Sequence, residues 1–272
     1  MYYIILAAGR GSRLKSLTEE RPKTMVELNH KGLIEYILAS LTSIKNKESL
    51  KGMIVTGYKR EKLNPFIDKF QLKEFINQEY ATTNMVYSLA LTLSELKDIY
   101  SKNPNEKVMI SYSDTIFHPA IIFKLSMAKE DIAIAADKNW LDYWSQRFSD
   151  PLSDAETFKI NSLGNLLEIG FKPKSLNDIE GQYTGLLLFQ GQGLKTLIDY
   201  LDAYMNKQLH FEGKDYRNAY LTDLLQYFLN KNITIKPIFF EEPWIEVDSE
   251  IDLNHPITQK RIENIALSLN FN

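Results

Sequence analysis

Residues 1–25 read MYYIILAAGRGSRLKSLTEERPKTM, and this stretch decides how the remainder of the chain is understood. Tyr2 to Leu6 is a short aromatic and β-branched apolar run, the length of a buried strand rather than a helix. Ala7 to Arg13 then sets two glycines, small residues and two arginines in one tight loop. Backbone N–H groups there can approach an anion closely while guanidinium groups neutralise it. Taken alone, the loop fits an ordinary strand-to-helix turn equally well. Pro22-Lys23 then adds a lysine behind a residue that stiffens its loop, a point charge suited to a triphosphate.

The loop satisfies neither GxGxxG nor GxxxxGK[ST]. LAAGRGSRL followed by RPKTM instead resembles the signature of the nucleotidyltransferases that activate sugar phosphates and related small phosphates, LAAGxGxRL and then PKxM. The resemblance implies that Leu6, Ala7, Ala8, Gly9, Gly11, Ser12 and Arg13 bind the nucleotide. It also implies that Arg13 and Lys23 act on the triphosphate during catalysis. Arg10 stands at a variable position of the motif and reads equally well as surface charge.

Composition sets limits. The 272 residues are 44% hydrophobic and 25% charged, enough for one large domain. A net charge of −3 leaves no basic field for nucleic acid or an anionic membrane, so any anion site must be local. The absence of cysteine removes disulfides, thiolate zinc sites and cysteine nucleophiles together, and fits a cytoplasmic, reducing setting. MYYIILAA is too short to span a bilayer and lacks basic flanks, so it reads as a core strand rather than a targeting signal. None of the four histidines has metal-ligand spacing.

Further along, strands and helices alternate. The spacing predicts helices over Leu33 to Ile44, Glu61 to Phe70, Met85 to Tyr100 and Pro119 to Ala128. Strands are expected at 53–55, 73–77, 108–112 and 132–136. Asn139 to Glu156 shows little periodicity. A hairpin at 158–171, a strand at 183–189, helices at 194–205 and 220–229, strands at 233–239 and 244–247 and a terminal helix over 256–269 complete the pattern. This is an α/β chain with a mixed, mostly parallel sheet and helices on both faces, Rossmann-like in the family it resembles. It reads as one domain over 1–272, with 138–183 as an acceptor-binding insertion carrying a small hairpin.

Ligands of such sheets bind beyond the carboxyl ends of the strands. Asp114 follows the strand at 108–112, and the resembled family carries a metal-binding aspartate at that place, usually as Gly-Asp where this chain has Ser113-Asp114. In Trp244-Ile245-Glu246-Val247-Asp248 alternation puts Glu246 and Asp248 on one face. Alone, that pair reads better as a solvated edge. With Asp114 it supplies the hard oxygen ligands that Mg2+ uses beside substrate phosphates.

WIEVDSEIDL at 244–253 is similar to the closing motif of the phosphocholine and aminoethylphosphonate cytidylyltransferases. DPLSDAE at 150–156, YLTD at 220–223 and the Asn-x-x-x-Ser-Leu element from Asn84 through Ser88 point the same way. The resemblance implies transfer of CMP from CTP to a small phosphorylated or phosphonate acceptor, in a monomer or homodimer serving cell-surface polysaccharide synthesis. Tyr58, after Thr56-Gly57, and Asn84 offer polar groups to a pyrimidine edge, although Asn84 reads equally as a helix cap. Trp140, Tyr143, Trp144, Arg147 and Tyr183 are candidates for a zwitterionic acceptor, aromatic faces for its ammonium and arginine for its phosphate; they fit a core equally. A sugar-1-phosphate nucleotidyltransferase using UTP or dTTP, and a non-catalytic nucleotide-binding regulator, are the competing readings.

Overall fold

A computed structural model describes residues 1–43, 51–207 and 215–271. The apolar run at the start of the chain forms β1 (Tyr2–Ala7), buried almost throughout. Six further strands build on it: β2 (Lys51–Thr56), β3 (Lys73–Ile76), β4 (Val108–Tyr112), β5 (Ile132–Asp137), β6 (Gln182–Phe189) and β7 (Lys236–Phe240). They form one sheet in the order β7-β5-β6-β4-β1-β2-β3. Every pairing is parallel except those of β6, which runs antiparallel between β4 and β5. Helices cover both faces, so the central strands read as continuous rather than alternating apolar runs.

Register decides where the chemistry sits. Ala7 pairs with Thr56, Thr56 with Ile76 and Leu6 with Tyr112, so the carboxyl ends of β1 to β4 share one rim. Because β6 is reversed, its first residues Gln182 and Tyr183 reach that rim beside Asp137 and Ala136. The β6 pairing shifts register between Tyr183 and Leu187. Gly185 lies there at φ +78°, and a Cβ on it would stand 2.4 Å from the Tyr112 ring.

A smaller core explains how distant loops meet. Leu14, Val26, Leu33, Ile116, Ile245, Val247 and Ile262 pack in a cluster apart from the main one. Leu14 follows the glycine loop, Val26 follows the Pro-Lys arm, Ile116 follows Asp114, and Ile245 and Val247 flank Glu246. Thr115–Phe117 pairs antiparallel with Trp244–Glu246, bringing two stretches far apart in sequence into one ribbon.

Some expectations change. The single helix expected over Met85 to Tyr100 is two, Met85–Ala90 and Leu93–Lys102. The Thr92 hydroxyl donates to the Leu89 carbonyl at 2.7 Å, a local side-chain bond that competes with helix continuation. The stretch after Asn139, read as irregular, contains a helix at Trp140–Arg147 that buries Trp140, Tyr143 and Trp144 on one face. A helix at Glu250–Asn254 and the short strand Thr115–Phe117 were unforeseen. The first helix is Leu33–Thr42; its expected end at Ile44 falls outside the described residues.

Candidate active site

The glycine loop leaves β1 and turns at Gly11, whose φ of +71° is left-handed. An ideal Cβ on Gly11 would lie 2.6 Å from Lys23 Cβ, so the loop and the Pro-Lys arm touch directly. Gly9 is different: a Cβ there would meet nothing within 4 Å among the described residues. Behind the loop, Tyr58 N–H donates to the Ala8 carbonyl at 3.0 Å. Gly57 allows this approach, since a Cβ on it would fall 2.7 Å from that same oxygen. The Tyr58 ring stands edge-on to Tyr80, with the Arg10 guanidinium 5.5 Å from its centroid. Tyr58 therefore braces the loop from behind.

These two glycines separate stability from binding. Gly11→Ala is expected to lose on the order of 1–2 kcal/mol for the left-handed backbone alone, more with the clash. Gly9→Ala is expected to keep the melting temperature and raise KM for the nucleotide, because its methyl group projects only into the cleft. Thermal unfolding and steady-state kinetics on the two variants check this.

In front of the loop lies a cleft of about 190 Å3 lined by Leu6, Ala8, Gly9, Gly11, Lys23, Asn77, Tyr80, Thr83, Asn84, Met85, Ser88, Tyr112, Ser113 and Asp114. Ala7 is buried in the strand, and Ser12 is exposed at the start of a 3-10 turn. Asn84 caps the following helix by accepting from Met85 N–H at 2.9 Å. The buried Asn77 donates to both Thr83 and Ser88 hydroxyls at 3.0 Å. Asn77, Tyr80 and Thr83 escaped the sequence reading. The available signal was the position of Asn77 at the carboxyl end of β3.

In the wall of this cleft Lys23 Nζ donates to Asp114 Oδ2 at 2.6 Å and to Asp248 Oδ1 at 2.8 Å. Burial works against the lysine charge, but the two carboxylates outweigh it and hold its pKa up to about 12. Lys23 is thus a cation throughout the neutral range. Arg13 also donates to Asp248 Oδ1, at 2.9 Å, from an exposed position. Asp248 is pulled below the usual carboxylate range: burial opposes this, and Lys23 and Arg13 overcome it. Glu246 is pushed up to about 8, first by burial and then by the neighbouring charge of Asp248. Val247 N–H donates to the Asp114 carbonyl at 3.0 Å, which ties the two carboxylate loops together.

A second cleft of about 230 Å3 adjoins the first. Arg13, Trp144, Asp154, Glu156, Gln182, Tyr183, Tyr220, Thr222, Glu246 and Asp248 line it, and it shares Met85, Tyr112 and Asp114 with the first. The buried Trp144 Nε1 and Gln182 Oε1 have no hydrogen-bond partner among the described residues. Burial raises the pKa of Asp154. Of the acceptor candidates, Trp144 and Tyr183 reach this cleft, whereas Trp140 and Tyr143 lie in the core and line neither cleft. Arg147 is not free to bind a phosphate: its side chain is 1% exposed and is held by Glu246 and Asp252. A reading by residue type could not see that its charge is consumed by a neighbour.

The two clefts share Asp114, Lys23 bridges it to Asp248 of the second cleft, and the chain that carries them is a nucleotidyltransferase. It belongs to the family of MobA-like NTP transferase domains, whose model matches residues 3–166. The CTP:phosphoglutamine cytidylyltransferase of Campylobacter jejuni is 37% identical over 256 residues, 93% of this chain and 98% of that protein. The structure of the CTP:phosphocholine cytidylyltransferase of Streptococcus pneumoniae superposes with a TM-score of 0.66 at 19% identity, covering 97% of this chain and 98% of that one. The inositol-1-phosphate CTP transferase of T. maritima gives 0.72 at 20% identity, covering 99% and 97%. These structures share the mixed-sheet nucleotidyltransferase fold.

Proposed function

We propose that the enzyme transfers CMP from CTP to a small phosphorylated acceptor bearing a polar or cationic head, releasing pyrophosphate and a CDP-linked product. The observation that carries this is Lys23, which lines the first cleft and bridges Asp114, shared by both clefts, to Asp248 of the second. An acceptor oxygen attacks the α-phosphorus, and the bond to the β-phosphate oxygen breaks. The reaction needs charge neutralisation and alignment rather than acid–base chemistry. In this reading the first cleft takes CTP, with Gly9 and Gly11 N–H groups and Arg13 at the phosphates. Lys23 faces the α-phosphate, and residues 138–183 of the single domain contribute to the acceptor side.

The residues fit a magnesium ion. Asp114 Oδ1 is buried with no hydrogen-bond partner among the described residues, and Asp248 lies across Lys23 from it. Magnesium commonly takes one or two carboxylates and completes its shell with phosphates and water. Asp114 and Asp248 would hold it. When bound, the ion supplies charge neutralisation on the phosphates. Glu246 turns one oxygen to Arg147, and among the described residues no three acidic, histidine or cysteine side chains form a ready cage, so the expected third ligand is better read as a neighbour of the pair.

The second cleft favours a compact head group over a sugar. Its acidic lining suits an ammonium, and the Trp144 indole N–H and Gln182 amide oxygen suit hydrogen-bonding atoms, because unmet buried polar groups are costly. The C. jejuni relative, a CTP:phosphoglutamine cytidylyltransferase, supports that reading. Pyrophosphate release across four nucleoside triphosphates, against phosphocholine, 2-aminoethylphosphonate, phosphorylated amino acids and hexose 1-phosphates, tests it. CTP with a zwitterionic or amide-bearing acceptor is expected to turn over fastest. Faster turnover of UTP or dTTP with glucose 1-phosphate would assign the chain to sugar activation, and absence of turnover with every pair would make it a nucleotide-binding regulator.

A further inference from the structure

We propose that Arg147 is a positioning residue that aims the Asp248 carboxylate, acting through Asp252. The guanidinium is boxed by the rings of Phe148, Trp144 and Tyr143, whose centroids lie 4.9, 5.0 and 5.2 Å from its central carbon. Nε and Nη2 both donate to Asp252 Oδ1, at 3.2 and 3.0 Å, and Nη1 donates to Glu246 Oε2 at 3.2 Å. The other Asp252 oxygen, Oδ2, accepts from Asp248 N–H at 3.0 Å, Ser249 N–H at 2.8 Å and the Ser249 hydroxyl at 2.9 Å. One carboxylate thus joins a buried, ring-clamped cation to the peptide that carries Asp248. Asp248 in turn receives Lys23 and Arg13.

The geometry calls for arginine. A planar fork with fixed N–H directions can hold Asp252 and Glu246 at once, which a single ammonium cannot do with defined orientation. A buried ion pair adds little stability over apolar packing of the same volume, so what this one supplies is direction. Misaiming a group next to the reaction centre is costly because partners behind a ligand tune metal affinity and rate by about 10- to 100-fold.

The proposal rests on the reading of Asp248 as a phosphate-site and metal carboxylate. Arg147→Lys, Asp252→Asn and the double variant test it, with melting temperatures to verify folding. Arg147→Lys is expected to lower kcat by about 10- to 100-fold, with KM for CTP and for acceptor within about threefold of wild type. The affinity of the nucleotide-free protein for Mn2+, followed by electron paramagnetic resonance, is expected to fall about tenfold. The double variant is expected to be scarcely worse than either single one, because both break the same link. A raised acceptor KM with unchanged kcat and Mn2+ affinity would overturn the proposal and make Arg147 an acceptor-binding group, and wild-type values throughout would overturn it too. If wild-type turnover withstands excess chelator, the metal reading fails with the proposal; a metal-dependent wild type with unaltered variants removes only the role of Arg147.

Discussion

Lys23→Ala is expected to lower kcat by two to four orders of magnitude while leaving KM for CTP within a few fold. The Lys23 side chain is 11% exposed and its ammonium already oriented by two carboxylates, so its charge needs no reorganisation when a phosphate arrives. Its effect is greatest as the α-phosphorus gains a fifth oxygen and negative charge accumulates, which is why the loss falls on kcat rather than on binding. A factor of 100 to 10,000 corresponds to roughly 3–5 kcal/mol of lost transition-state stabilisation. With a folded pKa raised from 10.5 to about 12, the contribution of protonated Lys23 is complete below pH 10.5 and disappears as pH rises through 12. A pH–rate limb near neutrality therefore belongs to another group, and Glu246 is the candidate. Steady-state kinetics of the variant across pH 6–9 checks both points. An unchanged kcat would remove Lys23 from the chemistry.

Asp248→Asn is expected to lower turnover on the order of a hundredfold or more with the fold intact. The amide is nearly isosteric and its oxygen still accepts from Lys23, so the loop keeps its shape while losing the negative charge. Excess chelator is expected to abolish wild-type activity and added magnesium to restore it; full activity in chelator would sink the metal assignment. The variant has a second readout. Asp248 is one of the causes that push Glu246 up to about 8, after burial, so removing its charge lowers the Glu246 pKa and moves any limb due to that group to lower pH. A limb that stays in place would separate Glu246 from the rate profile.

Short-range motifs and the family they resemble pointed to much of the proposed site. LAAGRGSRL and RPKTM place Gly9, Gly11 and Lys23, and the alternation of WIEVD sends Ile245 and Val247 into the smaller core while Glu246 and Asp248 face the rim. Arg147 shows where residue type misleads. An arginine among aromatics next to acidic residues has the composition of a phosphate-binding pocket, yet its guanidinium is spent on Glu246 and Asp252. Trp140 and Tyr143 likewise sit at core spacing on a helix hidden by the irregular composition around it. Asn77, Tyr80 and Gln182 had no motif to announce them.

By itself the sequence determined the strand and helix alternation and the glycine loop, because periodicity and turn chemistry are local properties of neighbouring residues, and the resemblance of its motifs pointed to the lysine and the acidic positions. Only the tertiary structure decided which of these groups meet. The reversal of β6 carries Gln182 and Tyr183 to the rim, and the pairing of Thr115–Phe117 with Trp244–Glu246 sets Asp248 opposite Asp114 with Lys23 between them. Strand order, register and the competition of buried charges for partners depend on contacts between residues remote in the chain, and no local pattern records them.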